Sequence, residues 1–417
     1  MRRQSGLAFV VLAALACGKR DGATGDTKEW KAERDSIGDT LVVRTVSGST
    51  WGTPGRLVTR VSIGVADGDE NLMLNSPRAL GIARDGSIYV SDQGPSLRRF
   101  GADGRFIQKI GREGSGPGEY RQPDGGLAVL PDGRVVLRDP GNGRLTVYTA
   151  DGAPLTTWRL RSGFNTSRRL YTDSLGNVYT LILIDPNASV FDWVMGLQRY
   201  APDGTAGDSL RVPSWKYARA QISGQRDGSS SINDVPFSPE ANWAFSPLGY
   251  FVGGVSTSYR IDLFRPGSTL RIERQTTPVP VDPAEAADRK RVETDQMVRN
   301  FPGWVWNGPE IPRTKPPFRE VYVGDDGRIW VLVSRPGVKD STATEMEGSG
   351  DLAHAVTTWT EPVAFDVFEP DGRYLGEVAA PDGFQTWPEP IFRGDTVWAS
   401  IEDTDGIRYI HRMEIQH

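Results

Sequence analysis

The chain has 417 residues, enough for two or three average domains or one large all-β domain. It carries 48 basic and 53 acidic residues for a net charge of −5, so no basic excess marks a nucleic-acid partner. There are 3 histidines, His354, His411 and His417, all near the C-terminus, which argues against a trihistidine metal site and a serine triad.

Arg2 and Arg3 precede an apolar run over residues 7–16, too short to span a bilayer, and Cys17, the only cysteine, follows at once. Leu15-Ala16-Cys17 resembles the end of a bacterial lipoprotein signal, although Ala14 stands where that family usually carries leucine. The resemblance implies cleavage at residue 17 and lipidation of Cys17. It also implies residence in the bacterial cell envelope, in the outer membrane or on the periplasmic side. An ordinary secretory signal cut nearby is the alternative. Residues 1–17 are set aside as a targeting segment. Residues 18–40 are polar and charged and read as a flexible tether ahead of a domain over 41–417.

From residue 80 the chain repeats itself. LGIARDGSIYVSDQGPSLRRFGADG (80–104) aligns with LAVLPDGRVVLRDPGNGRLTVYTADG (127–152). Asp85 and Asp132 are 47 residues apart, as are Asp92 and Asp139, while Asp103 and Asp151 are 48 apart. Short apolar runs bounded by Asp-Gly read as hairpin strands. Four of them in about 40–50 residues is the period of a propeller blade. Weaker copies follow at 174–204, 243–267, 319–372 and 391–415, giving six units. The last has three strands. RLVTRVSIG (56–64) looks like the fourth strand RFIQKIG (105–111), and pairing it with the C-terminal unit is expected to close a ring and remove two open sheet edges.

The Gly-rich IGREGSGPGEYRQP (110–123), Asp132-Gly133, the runs 135–139 and 145–148, and their spacing resemble six-bladed β-propellers of the NHL type. The resemblance is specific over 56–160 and looser over 165–415. It implies an all-β six-bladed propeller closed by an N-terminal strand. It implies little about function, because that fold hosts ligand-binding modules, protein scaffolds and enzymes. The glycines of 111–120 are read as a joint between blades. A phosphate loop should open a helix and carry Gly-Lys-Ser/Thr, whereas Glu119, Tyr120 and a strand follow here.

In such a meander the tight Asp-Gly turns fall on one face, and every long insertion falls on the other. The main insertions are 213–241, 277–317 and 335–361, and long loops in a compact domain carry function or disorder. Within the second, Asp282 is an N-cap, Pro283 opens a helix to residue 300, and Glu285 stands near the capping-box position. Trp304 and Trp306 follow, either as the underside of a lid over a central funnel or as rings that pin the loop to the rim.

Candidate ligand-binding residues on the elaborated face are Arg78, Asp92, Tyr120, Arg121, Asp139, Asn142, Tyr259, Trp304, Trp306 and Arg319. Asp92 and Asp139 also suit a structural role, accepting backbone N–H bonds in the turn that follows. No catalytic set is recognisable and no cofactor is predicted. Ca²⁺ remains open, should carboxylates of several blades converge. The favoured reading is an envelope binding module for a protein, peptide or glycan, touching the membrane only through its lipid. A metal-dependent propeller hydrolase of lactonase type, or a lyase, is the alternative.

Overall fold

Runs of β-branched and aromatic residues separated by Asp-Gly turns produce antiparallel meanders from residue 77 to the C-terminus. The computed structural model describes residues 29–417 apart from 95, 162–163, 186, 188–192 and 349–352. The expected signal, Cys17 and the first part of the tether lie outside the described residues.

Sheet I comprises Pro77–Ile82, Ile88–Asp92, Ser96–Phe100 and Phe106–Ile110. Sheet II comprises Leu127–Val129, Val135–Asp139, Arg144–Tyr148 and Pro154–Arg159. Sheet III runs through Tyr171–Thr172, Val178–Leu183, Met195–Tyr200 and Ala206–Arg211. Sheet IV runs through Ala241–Phe245, Phe251–Val255, Arg260–Arg265 and Ser268–Arg274. Sheet V is formed by Phe318–Val323, Ile329–Val333, Ala364–Phe368 and Tyr374–Ala379. Sheet VI contains Ile391–Arg393, Thr396–Glu402 and Arg408–Gln416. The register of these strands matches the spacing of the sequence repeat.

Three strands precede sheet I. They are β1 (Lys31–Ile37), β2 (Thr40–Ser47) and β3 (Gly55–Ile63). β3 pairs antiparallel with Arg408–Gln416, from Arg56 opposite Gln416 to Ile63 opposite Ile410, and so stands fourth in sheet VI. β1 and β2 form a hairpin, and β2 lies parallel to the outer strand of sheet IV. The tether expected over 18–40 therefore gives way to a strand at Lys31. β1 is polar because it is almost wholly exposed, so its sequence carries no apolar pattern; the buried Val42 and Val43 of β2 anchor the hairpin.

The cores lie between consecutive sheets. Tyr89, Leu97, Leu127 and Leu137 join sheets I and II, and Val136, Leu145, Val178 and Tyr200 join II and III. Tyr179, Leu197, Phe245 and Phe251 join III and IV; Ile261, Ile272, Val321 and Phe368 join IV and V. Trp330, Phe365, Phe392 and Met413 join V and VI, and Ile63, Ile88, Phe100 and Trp398 join VI and I. Second strands such as Ile329–Val333 are buried along their full length, while the outer Pro154–Arg159 is mostly exposed.

The Gly-rich stretch 111–120 connects sheet I to sheet II as a joint. Arg112–Glu113 lies parallel to Glu119–Tyr120, and the Tyr120 hydroxyl donates to Ile110 O and accepts from Leu97 N. Among the described residues one α-helix, α1 (Pro283–Asn300), breaks the all-β pattern. Asp282 caps it by accepting from Ala284 N, as the sequence predicts. Among the described residues no helix is long and apolar enough to cross a membrane.

Candidate ligand site beneath the helical insertion

The three insertions fold onto one another. The 213–241 segment forms a hairpin, Gln221–Arg226 against Ser229–Asp234, turning at Asp227-Gly228 with positive φ at both residues, as such a turn requires. Met297 and Phe301 of the helical insertion bury against Ile222 and Val235 of this hairpin. On another side, α1 holds the 335–361 segment: Asp288 accepts from Thr357 Oγ1 and Thr358 N, and Arg291 donates to Glu345 O and Val356 O.

A buried ion cluster ties these pieces to sheet V. Lys315 Nζ lies 2.7 Å from Glu285 Oε1 and 2.9 Å from Glu361 Oε2, and its side chain has 0 % exposure. The Phe237 ring is 4.9 Å from the same ammonium. Glu285 thus serves this cluster and not the helix cap. A buried lysine needs both hydrogen bonds and counter-charge, and the two carboxylates supply them.

Beneath the joined insertions lies a cavity of about 330 Å³, within the usual range of small-molecule sites. Its charged lining is Asp234, Glu240, Arg289, Glu293, Arg319 and Glu361, with Ser238, Ser334 and Phe237 between them. Asp234 is taken by Arg219 at 2.9 Å, and Glu293 accepts from Asn233 Nδ2 at 3.1 Å. Arg319 Nε is 3.2 Å from Glu361 Oε1, but its Nη2 is buried with no hydrogen-bond partner. Arg289 Nε, Ser238 Oγ and Ser334 Oγ are likewise buried and unpartnered. Burial, with Asp234 beside it, holds the Glu240 carboxyl above the usual carboxylate range. Phe237 adopts φ 61°, a left-handed conformation that costs an ordinary residue on the order of 1–3 kcal/mol. Such strain and such unpartnered groups gather where a ligand completes the structure.

Of the residues singled out in the sequence, Arg319 lines this cavity. Tyr259 lines a neighbouring cavity of about 600 Å³ with Arg274 and Arg335, and its hydroxyl donates to Asp366 Oδ2 at 2.7 Å. Arg78 borders a third, of about 240 Å³, with Asp124, Asn165 and Trp387. The others, Arg121 apart, make contacts within the scaffold. Asp92 accepts from Asn75 N, Ser76 N and Gln93 N and pairs with Arg98. Asp139 accepts from Arg121 N, Gln122 N and Asn142 Nδ2, and Asn142 also donates to Gly114 O. Tyr120 is buried in the joint, and Arg121 is exposed. Trp304 donates to Ser223 O and so pins its loop to the 213–241 hairpin, while Trp306 donates to Gly308 O within its own loop. Among the described residues no group of three or more His, Cys, Asp or Glu side chains is placed to hold a metal ion.

Sequence reasoning missed Arg289, Ser238, Phe237 and Lys315. Asp227-Gly228 was a readable hairpin signal, but no pattern marked the residues that the hairpin brings to the cavity.

A separate cavity of about 500 Å³ opens where the tight turns gather. Residues of all six sheets and their first turns line it, including Leu80, Leu127, Thr172, Leu248, Asp325 and Ile391. Arg393 crosses three of them, pairing with Asp325 at 2.9 Å and donating to Ile82 O and Ala83 O. Towards the elaborated face, Arg168 meets Glu320 at 3.3 Å and stacks on Trp243, and burial pushes the Glu320 carboxyl up.

No known protein family matches the chain by sequence, and no curated protein does. Among solved structures the chain is similar to a member of the DUF4221 family from Bacteroides vulgatus, with a TM-score of 0.54 at 9% identity over 87% of this chain and 99% of that one. It is also similar to virginiamycin B lyase from Staphylococcus aureus, with a TM-score of 0.38 at 11% identity over 86% of this chain and 99% of that one. The first likeness is one of fold alone; the second is too loose to bear on activity. The chain is nearly all β and propeller-like.

Proposed function

We propose that this protein is an exported binding module, a six-bladed β-propeller of NHL type held to the cell envelope by a lipid on Cys17. Sheets I–VI are its blades, and β3 closes the ring. The pairing of β3 with Arg408–Gln416, the apolar core between sheets VI and I, and the cavity lined from all six sheets support the ring. The anchor rests on the apolar run before Cys17.

The observation that carries the binding function is the cavity beneath α1. Three insertions far apart in sequence build it together, and it holds arginine and serine groups without internal partners. Buried groups without partners occur in the sheets as well, such as Thr146 Oγ1 and Ser400 Oγ; those beneath α1 differ in lining an open volume that a ligand can fill. The partner is a protein, peptide or glycan of the envelope, and the metal-dependent alternative draws no support from Asp92 and Asp139, whose oxygens are already engaged.

Hydrogen exchange of the purified protein against envelope extract fractions tests this. Protection concentrated in α1 and the 213–241 hairpin, and lost in Arg319→Ala, is the expected result. Protection confined to the tight-turn face would reject the site. The anchor is tested by fatty-acid labelling, which should vanish in Cys17→Ser.

A further inference from the structure

The cavity beneath α1 carries unbalanced charges of both signs. Arg289 makes no ion pair or hydrogen bond among the described residues, and Arg319 has a buried Nη2 to spare. Opposite in sign, Glu240 makes no side-chain hydrogen bond or ion pair among the described residues. Glu293 has only an uncharged partner, Asn233. A purely anionic ligand would satisfy the arginines and leave the glutamates facing a new negative charge. A purely cationic ligand would do the reverse. Arg289, Arg319 and Glu293 are half-buried and Glu240 stands at the cavity's exposed edge, and half-buried charges left unpaired are costly, so neither fits the lining well. A neutral sugar would find Ser238, Ser256 and Ser334 as uncharged polar side chains beside the Phe237 ring, and the Ser256 hydroxyl is already engaged with the Glu240 backbone.

We propose that the cavity beneath α1 binds a small zwitterion of the amino-acid or short-peptide class, its carboxylate held by Arg289 and Arg319 and its ammonium by Glu240 and Glu293. Planar guanidinium groups suit a carboxylate, because two parallel N–H bonds can meet its two oxygens. Ser238 and Ser334 add hydroxyls, both buried to 4 % exposure. The volume of about 330 Å³ admits a free amino acid or a dipeptide and excludes a folded partner. This inference rests on the binding-module reading, takes its peptide option down to a dipeptide or single amino acid, and sets the protein and the glycan aside for this cavity.

The test is calorimetry of the purified protein with free amino acids and dipeptides, with their N-acetylated and C-amidated forms, and with neutral oligosaccharides. At least one free zwitterion should bind, and blocking either end should weaken it by roughly 10- to 100-fold, as expected for loss of a charged hydrogen bond. Arg289→Gln should erase the advantage of a free carboxylate while keeping that of a free amine. Glu240→Gln should do the opposite. Both lie on the cavity wall outside the Lys315 cluster, and circular dichroism checks that each variant is folded. If a saccharide binds instead, or a doubly blocked peptide binds as well as the free one, the zwitterion is wrong and the binding module stands. If no member of any panel binds, the zwitterion is wrong, and if exchange also finds no protection by extract the binding module falls with it.

Discussion

At Gly111 the backbone turns left-handed, with φ 65°, and a Cβ there would stand 2.6 Å from Gly118 O and 2.8 Å from the Tyr148 hydroxyl. The joint between sheets I and II is folded tightly around this one position. Gly111→Ala should cost roughly 2–4 kcal/mol, adding backbone strain to overpacking. Gly143 is a fair control, because it has φ 62° but nothing within 4 Å of its Cβ position. Gly143→Ala should cost only about 1–2 kcal/mol. Urea midpoints of the two variants measure how much the tight packing of the crossing adds to backbone strain, and equal losses would mean that the joint is not tightly packed at Gly111. His411 offers a second test at this scale. Its Nδ1 lies 3.0 Å from Thr59 Oγ1 across the pairing of β3 with the C-terminal strand, and burial holds its imidazole below the ordinary 6.5. Well above that value both folded and unfolded chains carry it neutral. As pH falls, the unfolded chain takes up a proton that the native state resists, so stability is lost on acidification. Between about pH 8 and pH 5.5 the urea midpoint of the native protein should fall further than that of His411→Gln. Equal falls would show that the imidazole protonates freely in the folded protein.

Among the elements, α1 and its two flanking insertions depend on a few buried polar contacts more than on apolar area. Lys315 is the centre of that arrangement. Lys315→Met keeps the volume of the side chain but leaves Glu285 buried without a cation and Glu361 with Arg319 alone. Breaking a buried pair in this way costs about 3–5 kcal/mol. The loss should be local, with faster hydrogen exchange in α1 and in 335–361 while sheets I–III keep their protection. Uniform loss over all sheets would mean that the insertions and the sheets unfold as one unit. These contacts also mark the limit of what the sequence discloses. Strands announce themselves by alternation and Asp-Gly turns, and α1 by Asp282 and Pro283, because those signals are local. Lys315 meets Glu285 and Glu361 across separations of 30 and 46 residues, and no periodicity records such a meeting. The candidate residues drawn from the repeat, Asp92, Asp139 and Asn142, turned out to hold the repeat together. Conspicuous recurrence reflected the demands of the fold. The cavity is built from segments that do not recur.

For the molecule as a whole, the decisive contact is the one that joins its two ends. The similarity of RLVTRVSIG to the fourth strand of the first repeat foretold the β3 pairing, while the polar β1 gave no such sign. Removing β3 would expose the backbone edge of Arg408–Gln416 and empty the places of Leu57 and Ile63, which are 5% and 1% exposed. An unpaired strand edge is a template for association with another chain. A chain beginning at residue 65 should therefore self-associate and unfold at a lower urea midpoint than the chain that keeps β3. A chain beginning at residue 49 lacks the β1–β2 hairpin but keeps β3, which separates the two contributions. The hairpin pairs with the outer strand of sheet IV and places Val43 in the core between sheets IV and V, so this second chain should unfold at a lower midpoint yet not self-associate through Arg408–Gln416. Adding a peptide of residues 55–64 to the shorter chain should restore the monomer, and the same peptide with Leu57→Ser and Ile63→Ser should not. Should the chain from residue 65 remain monomeric with an unchanged midpoint, the two ends do not close a ring, and the cavity shared by all six sheets would need another explanation.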